Sequence, residues 1–367
     1  MWQKLYQNNS SKINEKEGNS MPKTQIITVD KNQPERDKIK RAAEIIRNGG
    51  LVAFPTETVY GLGGNALDED AARKIYAAKG RPQDNPLIVH IADISQLDEL
   101  VKEIPERAKL LMDKFWPGPL TIIFNKSGLV PFGTTGGLDT VAIRMPSHPV
   151  ALELIKEAAV PIAAPSANIS GRPSPVTAQD VAEDLVGRIE MILDGGKASV
   201  GVESTVLDLS EELPIILRPG GVTREELEEV LGRVDLDPGL APGEKPRSPG
   251  QKYRHYAPKA RMTLFEGPLD NQVRAISEMA EKLEVEGLKV GIMATAQTRH
   301  LYTKGQVISA GDRSAPLTIS SNIFGVLRKF DRMGVDRILA ESISQDGIGL
   351  AVMNRLYKAA GFNVLKV

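Results

Sequence analysis

The chain contains no cysteine. Disulfides, thiolate metal sites and cysteine nucleophiles are therefore excluded together. Histidine is scarce, with four in 367 residues and none arranged as H-E-x-x-H, so a histidine-held metal is not expected. Aromatic residues make up 5% of the chain, too few for the stacking platform on which a nucleic-acid binder lays its bases. An excess of either charge is lacking too. The 46 lysines and arginines meet 47 aspartates and glutamates, which argues against strong direct nucleic-acid binding through bulk charge but allows a local basic pocket. No run approaches the roughly 20 apolar residues that cross a bilayer, and no cleavable signal pattern opens the chain, so no membrane partner is expected and the expected location is cytoplasmic. The phosphate-loop pattern G-x-x-x-x-G-K-[ST] is missing as well.

What remains is an ordinary globular composition, 41% apolar and 25% charged, in a chain long enough for two cores. Residues 1–22 are polar and rich in asparagine, serine and lysine, and read as a disordered tail. Residues 23–240 read as a first domain. Short strands are expected at Gln25–Val29, Leu51–Pro55, Pro86–Ile91, Leu120–Phe124, Thr140–Met145, Met191–Asp194, Ser204–Leu209 and Ile215–Arg218. They outnumber the helices, which favours a twisted mixed sheet of α/β class over regular βαβ alternation. Residues 241–258 turn to proline, glycine and basic residues and read as a linker. From 259 to 367, strands at Met262–Phe265, Lys289–Ala294 and Arg337–Ala340 alternate with helices, the pattern of a smaller, open, Rossmann-like α/β domain.

The stretch from Phe54 to Ile91 carries the most chemistry. Gly61–Ala66 loosely matches a dinucleotide fingerprint, but the next helix should open only at the N-cap Asp68, so the glycines read better as a structural turn. Lys79-Gly80-Arg81 places two cations on a loop. Alone they are ordinary surface charges. Their company changes that: Arg144 ends an apolar strand, Ser166 and Asn168 follow another, Ser204 and Thr205 open a third, and Arg218 precedes a glycine pair. Donors at strand ends suit an anionic ligand. His90 reads either as a satisfied core histidine or as a site group. Glu57 and Glu203 read either as bases or as members of salt networks.

Taken in order, PTETVYGLG, KGRPQDNPLIVHI, FWPGPLT, VAIRMP, PSANISGRPSP, ESTVLD and ILRPGGVT resemble the YrdC-like domain of L-threonylcarbamoyladenylate synthases. SPGQKYRHYAPKA and GIGLAVMNRLYKAAGF are similar to the long, two-domain form of that family. The resemblance implies a nucleotidyltransferase that condenses L-threonine, bicarbonate and ATP to threonylcarbamoyl-AMP and pyrophosphate, the product passing to a transferase complex that modifies a tRNA adenosine. It implies Lys79, Arg81, Asn85, Thr140, Ser166, Asn168, Ser174 and Arg218 as ATP contacts, with Lys79, Arg81 and Arg144 as the catalytic cations. It implies Thr58, Tyr60, His90, Arg144, Ala164 and Ser204 around threonine, and Mg²⁺ held mainly through the ATP phosphates. Composition alone makes the linker a spacer. With the resemblance it is expected to fold over the nucleotide as a lid bearing Tyr253, Arg254 and His255. Two rivals stand beside this reading. One is an RNA-binding module of the same fold. The other is a hydrogenase-maturation carbamoyl-transfer domain, which would bring zinc-finger cysteines that this chain lacks.

Overall fold

The computed structural model describes residues 22–239, 246–252 and 255–367. Most of the expected tail, and Tyr253 and Arg254 of the expected lid, lie outside these residues.

Helix ends in the first domain follow local chemistry. The Asp68 side chain accepts from the Asp70 amide to start helix Glu69–Lys79, and Gly80 ends it in the left-handed region at φ 59°. Thr177 and Asp180 form a reciprocal cap at the start of helix Ala178–Leu185. Helix Arg36–Arg47 turns Ile39, Ala42, Ala43 and Ile46 inward, into a cluster with Val150, Leu154 and Ile155 of helix Pro149–Ala158.

Eleven strands among the described residues form the first sheet: β1 (Gln25–Thr28), β2 (Val52–Pro55), β3 (Tyr60–Asn65), β4 (Ile88–His90), β5 (Leu120–Asn125), β6 (Thr140–Arg144), β7 (Ile162–Ala163), β8 (Met191–Asp194), β9 (Thr205–Asp208), β10 (Ile215–Arg218) and β11 (Asp235–Leu236). Their spatial order is β1-β8-β2-β3-β7-β4-β6-β5-β9-β10-β11, with parallel and antiparallel pairs interspersed. The unbroken apolar run around β4 is explained by its place at the centre of this order, where all three of its residues are buried. Register then aligns His90 of β4 with Arg144 of β6, Arg144 with Thr121 of β5, Thr121 with Val206 of β9, and Val206 with Arg218 of β10. One row across the sheet thus gathers a histidine and two arginines far apart in the chain.

The glycine run does not form the expected turn. Gly61, Gly63 and Gly64 lie inside β3. A Cβ on Gly63 would come within 2.7 Å of Phe54 Cε1 and 2.8 Å of Ile162 Cγ2, so the glycine lets neighbouring side chains close over the strand. The bend between β2 and β3 is made instead by Thr56, whose hydroxyl donates to the Val59 carbonyl at 2.6 Å.

The second sheet is wholly parallel: β12 (Arg261–Glu266), β13 (Val290–Ala294), β14 (Gln306–Ser309), β15 (Arg337–Glu341) and β16 (Val364–Lys366), in the order β14-β13-β15-β12-β16. The edge strands β14 and β16 have no fully buried residue and hence no apolar run in the sequence to announce them. The two domains share a core. Val59, Val176, Ala198 and Val202 of the first pack in one cluster with Tyr256, Phe324, Leu327 and Met353. Arg328 of helix Ile323–Met333 crosses the junction, donating to the Pro173 carbonyl at 2.7 and 3.1 Å and to Asp184 Oδ2 at 2.8 Å.

Candidate active site

Arg144, at the end of β6, is buried and divides its guanidinium among three partners. Nε donates to the Gly118 carbonyl at 3.2 Å and Nη1 to Thr58 Oγ1 at 2.9 Å, while Nη2 lies 2.7 Å from Glu57 Oε1. The Thr56 and Thr58 hydroxyls are 2.8 Å apart, so the β2–β3 bend and the arginine hold each other. At the end of β10, Arg218 Nη2 donates to the carbonyl of Ser204 at 2.9 Å and to its hydroxyl at 3.2 Å; that hydroxyl pairs with Thr121 Oγ1 at 2.8 Å. Gly220 is required here, because a Cβ would stand 2.3 Å from the Glu203 carbonyl oxygen.

Lys79 is fully buried at the last position of its helix. Its ammonium donates to the Ser166 carbonyl and, at 2.6 Å, to the Asn168 carbonyl, so it braces the loop that presents those two residues. Burial first, then the nearby Arg81, pushes its pKa well below the usual lysine range. Arg81 is turned the other way: it donates to the Asn85 carbonyl at 3.3 and 3.2 Å and to the Pro86 carbonyl at 3.0 Å, and burial lowers its pKa to about 10.

These groups stand around a cavity partly open to solvent, about 610 Å³ with its mouth included, walled by Thr58, Arg81, His90, Arg144, Ala164, Ser166, Asn168, Ser174, Ser204 and Arg218 from the first domain. Pro249, Gly250, His255 and Tyr256 of the linker wall its other side, and Lys252 Nζ lies 2.8 Å from Asp84 Oδ2 beside the Lys79–Arg81 loop. Burial and then Arg144 press the His90 pKa down to about 3, so the imidazole is neutral, with Nδ1 3.1 Å from the Ile88 carbonyl. Glu203 is no base in waiting. Burial alone would raise its pKa, but Arg355, Arg218 and the Ser174 hydroxyl hold it at about 2. Among the described residues no cluster of three or more acids and histidines could hold a metal.

Four of the expected contacts do not reach this wall. Tyr60 is inaccessible and donates to the Gly196 carbonyl at 2.6 Å. Lys79 lies behind the Ser166–Asn168 loop, and Asn85 offers Arg81 its carbonyl. Thr140 starts β6, at the end of the strand opposite Arg144. The residues overlooked by sequence reasoning are Arg172, on the cavity wall, and Arg355, behind Glu203. Arg355 had a signal: it is an arginine on the apolar face of a helix, between Ala351, Val352 and Ala359, all buried.

Arginines and hydroxyl side chains converging from strand ends, with a linker closing the far side, define a two-domain α/β enzyme that binds anionic substrates. The comparisons identify which one. A family model described as telomere recombination, covering the Sua5, YciO and YrdC proteins, matches residues 44–220. A model described as the C-terminal domain of threonylcarbamoyl-AMP synthase matches residues 222–361. The threonylcarbamoyl-AMP synthase of Pyrococcus abyssi is 53% identical over 94% of this chain and all of its own length. The Bacillus subtilis enzyme of the same name is 51% identical over 90% of this chain and 94% of its own. A crystal structure of the P. abyssi Sua5 protein complexed with L-threonine superposes with a TM-score of 0.90, covering 94% of this chain and all of that one. The chain belongs to the threonylcarbamoyl-AMP synthase family, in its two-domain form, and is an enzyme of tRNA modification rather than an RNA-binding module.

Proposed function

We propose that the cavity holds L-threonine and ATP end to end and joins them through bicarbonate. The threonine amine takes up bicarbonate with loss of water to give a carbamate. A carbamate oxygen then attacks the α-phosphorus of ATP, and pyrophosphate leaves with the electron pair of the broken P–O bond. Such a transfer depends on holding two anions in line and neutralising the charge that develops, with little demand for a strong base.

The observation that carries this reading is the row of Arg144 and Arg218, both buried, opening into one cavity beside a neutral His90. Arg144, with Thr58, His90, Ala164 and Ser204 around it, forms the threonine end; Arg144 pairs with the substrate carboxylate. Arg81, Ser166, Asn168, Ser174 and Arg218 form the nucleotide end, and Lys79 keeps the Ser166–Asn168 loop in place. Mg²⁺ would be brought in with the nucleotide, and its chemistry there would be to neutralise phosphate charge. Asn168 Oδ1, buried on the cavity wall without a hydrogen-bond partner, is an oxygen suited to it, and the acids nearest the cavity are already committed to arginines. The product goes to a transferase complex acting on tRNA. No helix among the described residues is long and apolar enough to cross a membrane, and we place the enzyme in the cytoplasm.

The test is pyrophosphate release with ATP, Mg²⁺, bicarbonate and single amino acids. Release is expected only when threonine and bicarbonate are both present. Release that needs neither overturns the reading.

A further inference from the structure

Glu203 poses an electrostatic problem. It is a buried carboxylate on the wall of a cavity whose other charged groups are cationic, and a triphosphate brought beside it is repelled. The structure answers the problem from the other domain. Arg355, in helix Gly349–Ala359, has no accessible side-chain surface and donates from Nε to Glu203 Oε2 at 2.8 Å. The second carboxylate oxygen accepts from Ser174 Oγ at 2.5 Å, and Ser174 lines the cavity. The Arg355 guanidinium carbon also stands 5.3 Å from the ring centre of Tyr256, a linker residue on the cavity wall whose ring stacks with Phe324 at 5.2 Å. Arg355 therefore neutralises one wall of the site and supports the linker wall facing it, while not itself lining the cavity.

We propose that Arg355 is a positioning residue for the nucleotide site, through which the second domain completes ATP binding by neutralising Glu203 and, through that carboxylate, fixing Ser174. The idea rests on the synthase reading for what the cavity binds. Without Arg355, Glu203 loses its ion-pair partner and keeps only the weaker pull of Arg218, so it repels the phosphates, and Ser174 is held by a carboxylate free to turn. Threonine, at the Arg144 end, is affected little.

The test uses the full chain with Arg355→Met, Glu203→Gln, both together, and Arg355→Lys. Two quantities are read: MgATP affinity by calorimetry without threonine, and the KM values for ATP and threonine in pyrophosphate release. Arg355→Met is expected to weaken MgATP binding about tenfold or more while threonine KM moves less than about threefold, and Arg355→Lys to fall between it and the parent. In the double variant no charge is left to neutralise, so its MgATP affinity is expected within about threefold of Glu203→Gln alone. Three results overturn the proposal: parental MgATP affinity in Arg355→Met, a parallel rise of both KM values, or a double variant as weak as Arg355→Met. If Arg355→Met does not fold, the double variant against Glu203→Gln decides, equality supporting the proposal and a loss of about tenfold overturning it. Failure of the synthase reading shows separately, as a parent chain whose pyrophosphate release ignores threonine, and leaves the calorimetric comparison intact.

Discussion

Arg144 shows how much one guanidinium fork can organise. Its three nitrogens reach a backbone carbonyl at Gly118 and, from the β2–β3 bend, a threonine hydroxyl and a carboxylate, so one side chain ties two separate segments to β6. Lysine has the charge but not the fork, so Arg144→Lys keeps one of these partners and leaves buried groups unsatisfied. Loss of a charge-assisted bond of this kind costs about 2–3 kcal/mol, equivalent to a rise in threonine KM of about 30- to 150-fold. MgATP affinity is expected to stay within about threefold, because the proposed nucleotide end is built on Arg81 and Arg218. Steady-state kinetics with each substrate varied separately checks the split. As a candidate, Arg144 was legible because a cation closing an apolar strand is unusual. Its pairing with Glu57 was not, since the β2–β3 bend and β6 meet only through the sheet.

Among the elements, β3 is where local reading failed for a physical reason. Glycine is permissive of turns, and a run of it invites that interpretation. In β3 the glycines serve a different need, the close passage of Phe54 and Ile162 over a buried strand. Only the tertiary neighbours reveal it. Gly63→Ala is expected to destabilise the fold by about 1–3 kcal/mol through overpacking. Urea unfolding should show a lower midpoint with an unchanged slope, because the surface exposed on unfolding stays the same. Where backbone chemistry alone decides, the sequence was a good guide: the Asp68 cap, the Gly80 stop and the Thr177 cap lie where their residue types put them. The edge strands β14 and β16 escaped because short, half-exposed strands carry no pattern.

At the scale of the molecule, the composition change near residue 240 falls between the last strand of the first sheet and the first strand of the second, but the core the two sheets share left no mark in the sequence. Val59, Val176, Ala198 and Val202 read as ordinary core residues of one domain, and the sequence does not say that their partners are Tyr256 and Phe324. Titratable groups buried around the cavity tie the enzyme's stability to pH. His90 stays neutral down to about pH 3, because burial and then Arg144 oppose its imidazolium. His255, partly accessible at the linker, is lowered to about 3 by burial, Arg81 and Lys358. Glu203 is held at about 2. All three values are depressed in the folded state, so their contribution is complete above the unfolded values and is lost as pH falls. Unfolded histidine takes a proton near pH 6.5, whereas folded His90 does not until about 3. From about pH 6 to 4, His90 alone should cost roughly 1.4 kcal/mol of stability per pH unit, His255 adding less because water reaches it, and Glu203 joining only below about 4.5. Urea unfolding at pH 7, 6, 5 and 4 on the parent chain and a His90→Asn variant isolates the His90 share. The parent is expected to lose stability more steeply than the variant by about 1.4 kcal/mol per pH unit between pH 6 and 4. Equal slopes would mean that His90 accepts its proton in the folded enzyme, placing a second cation beside Arg144 at the proposed threonine end.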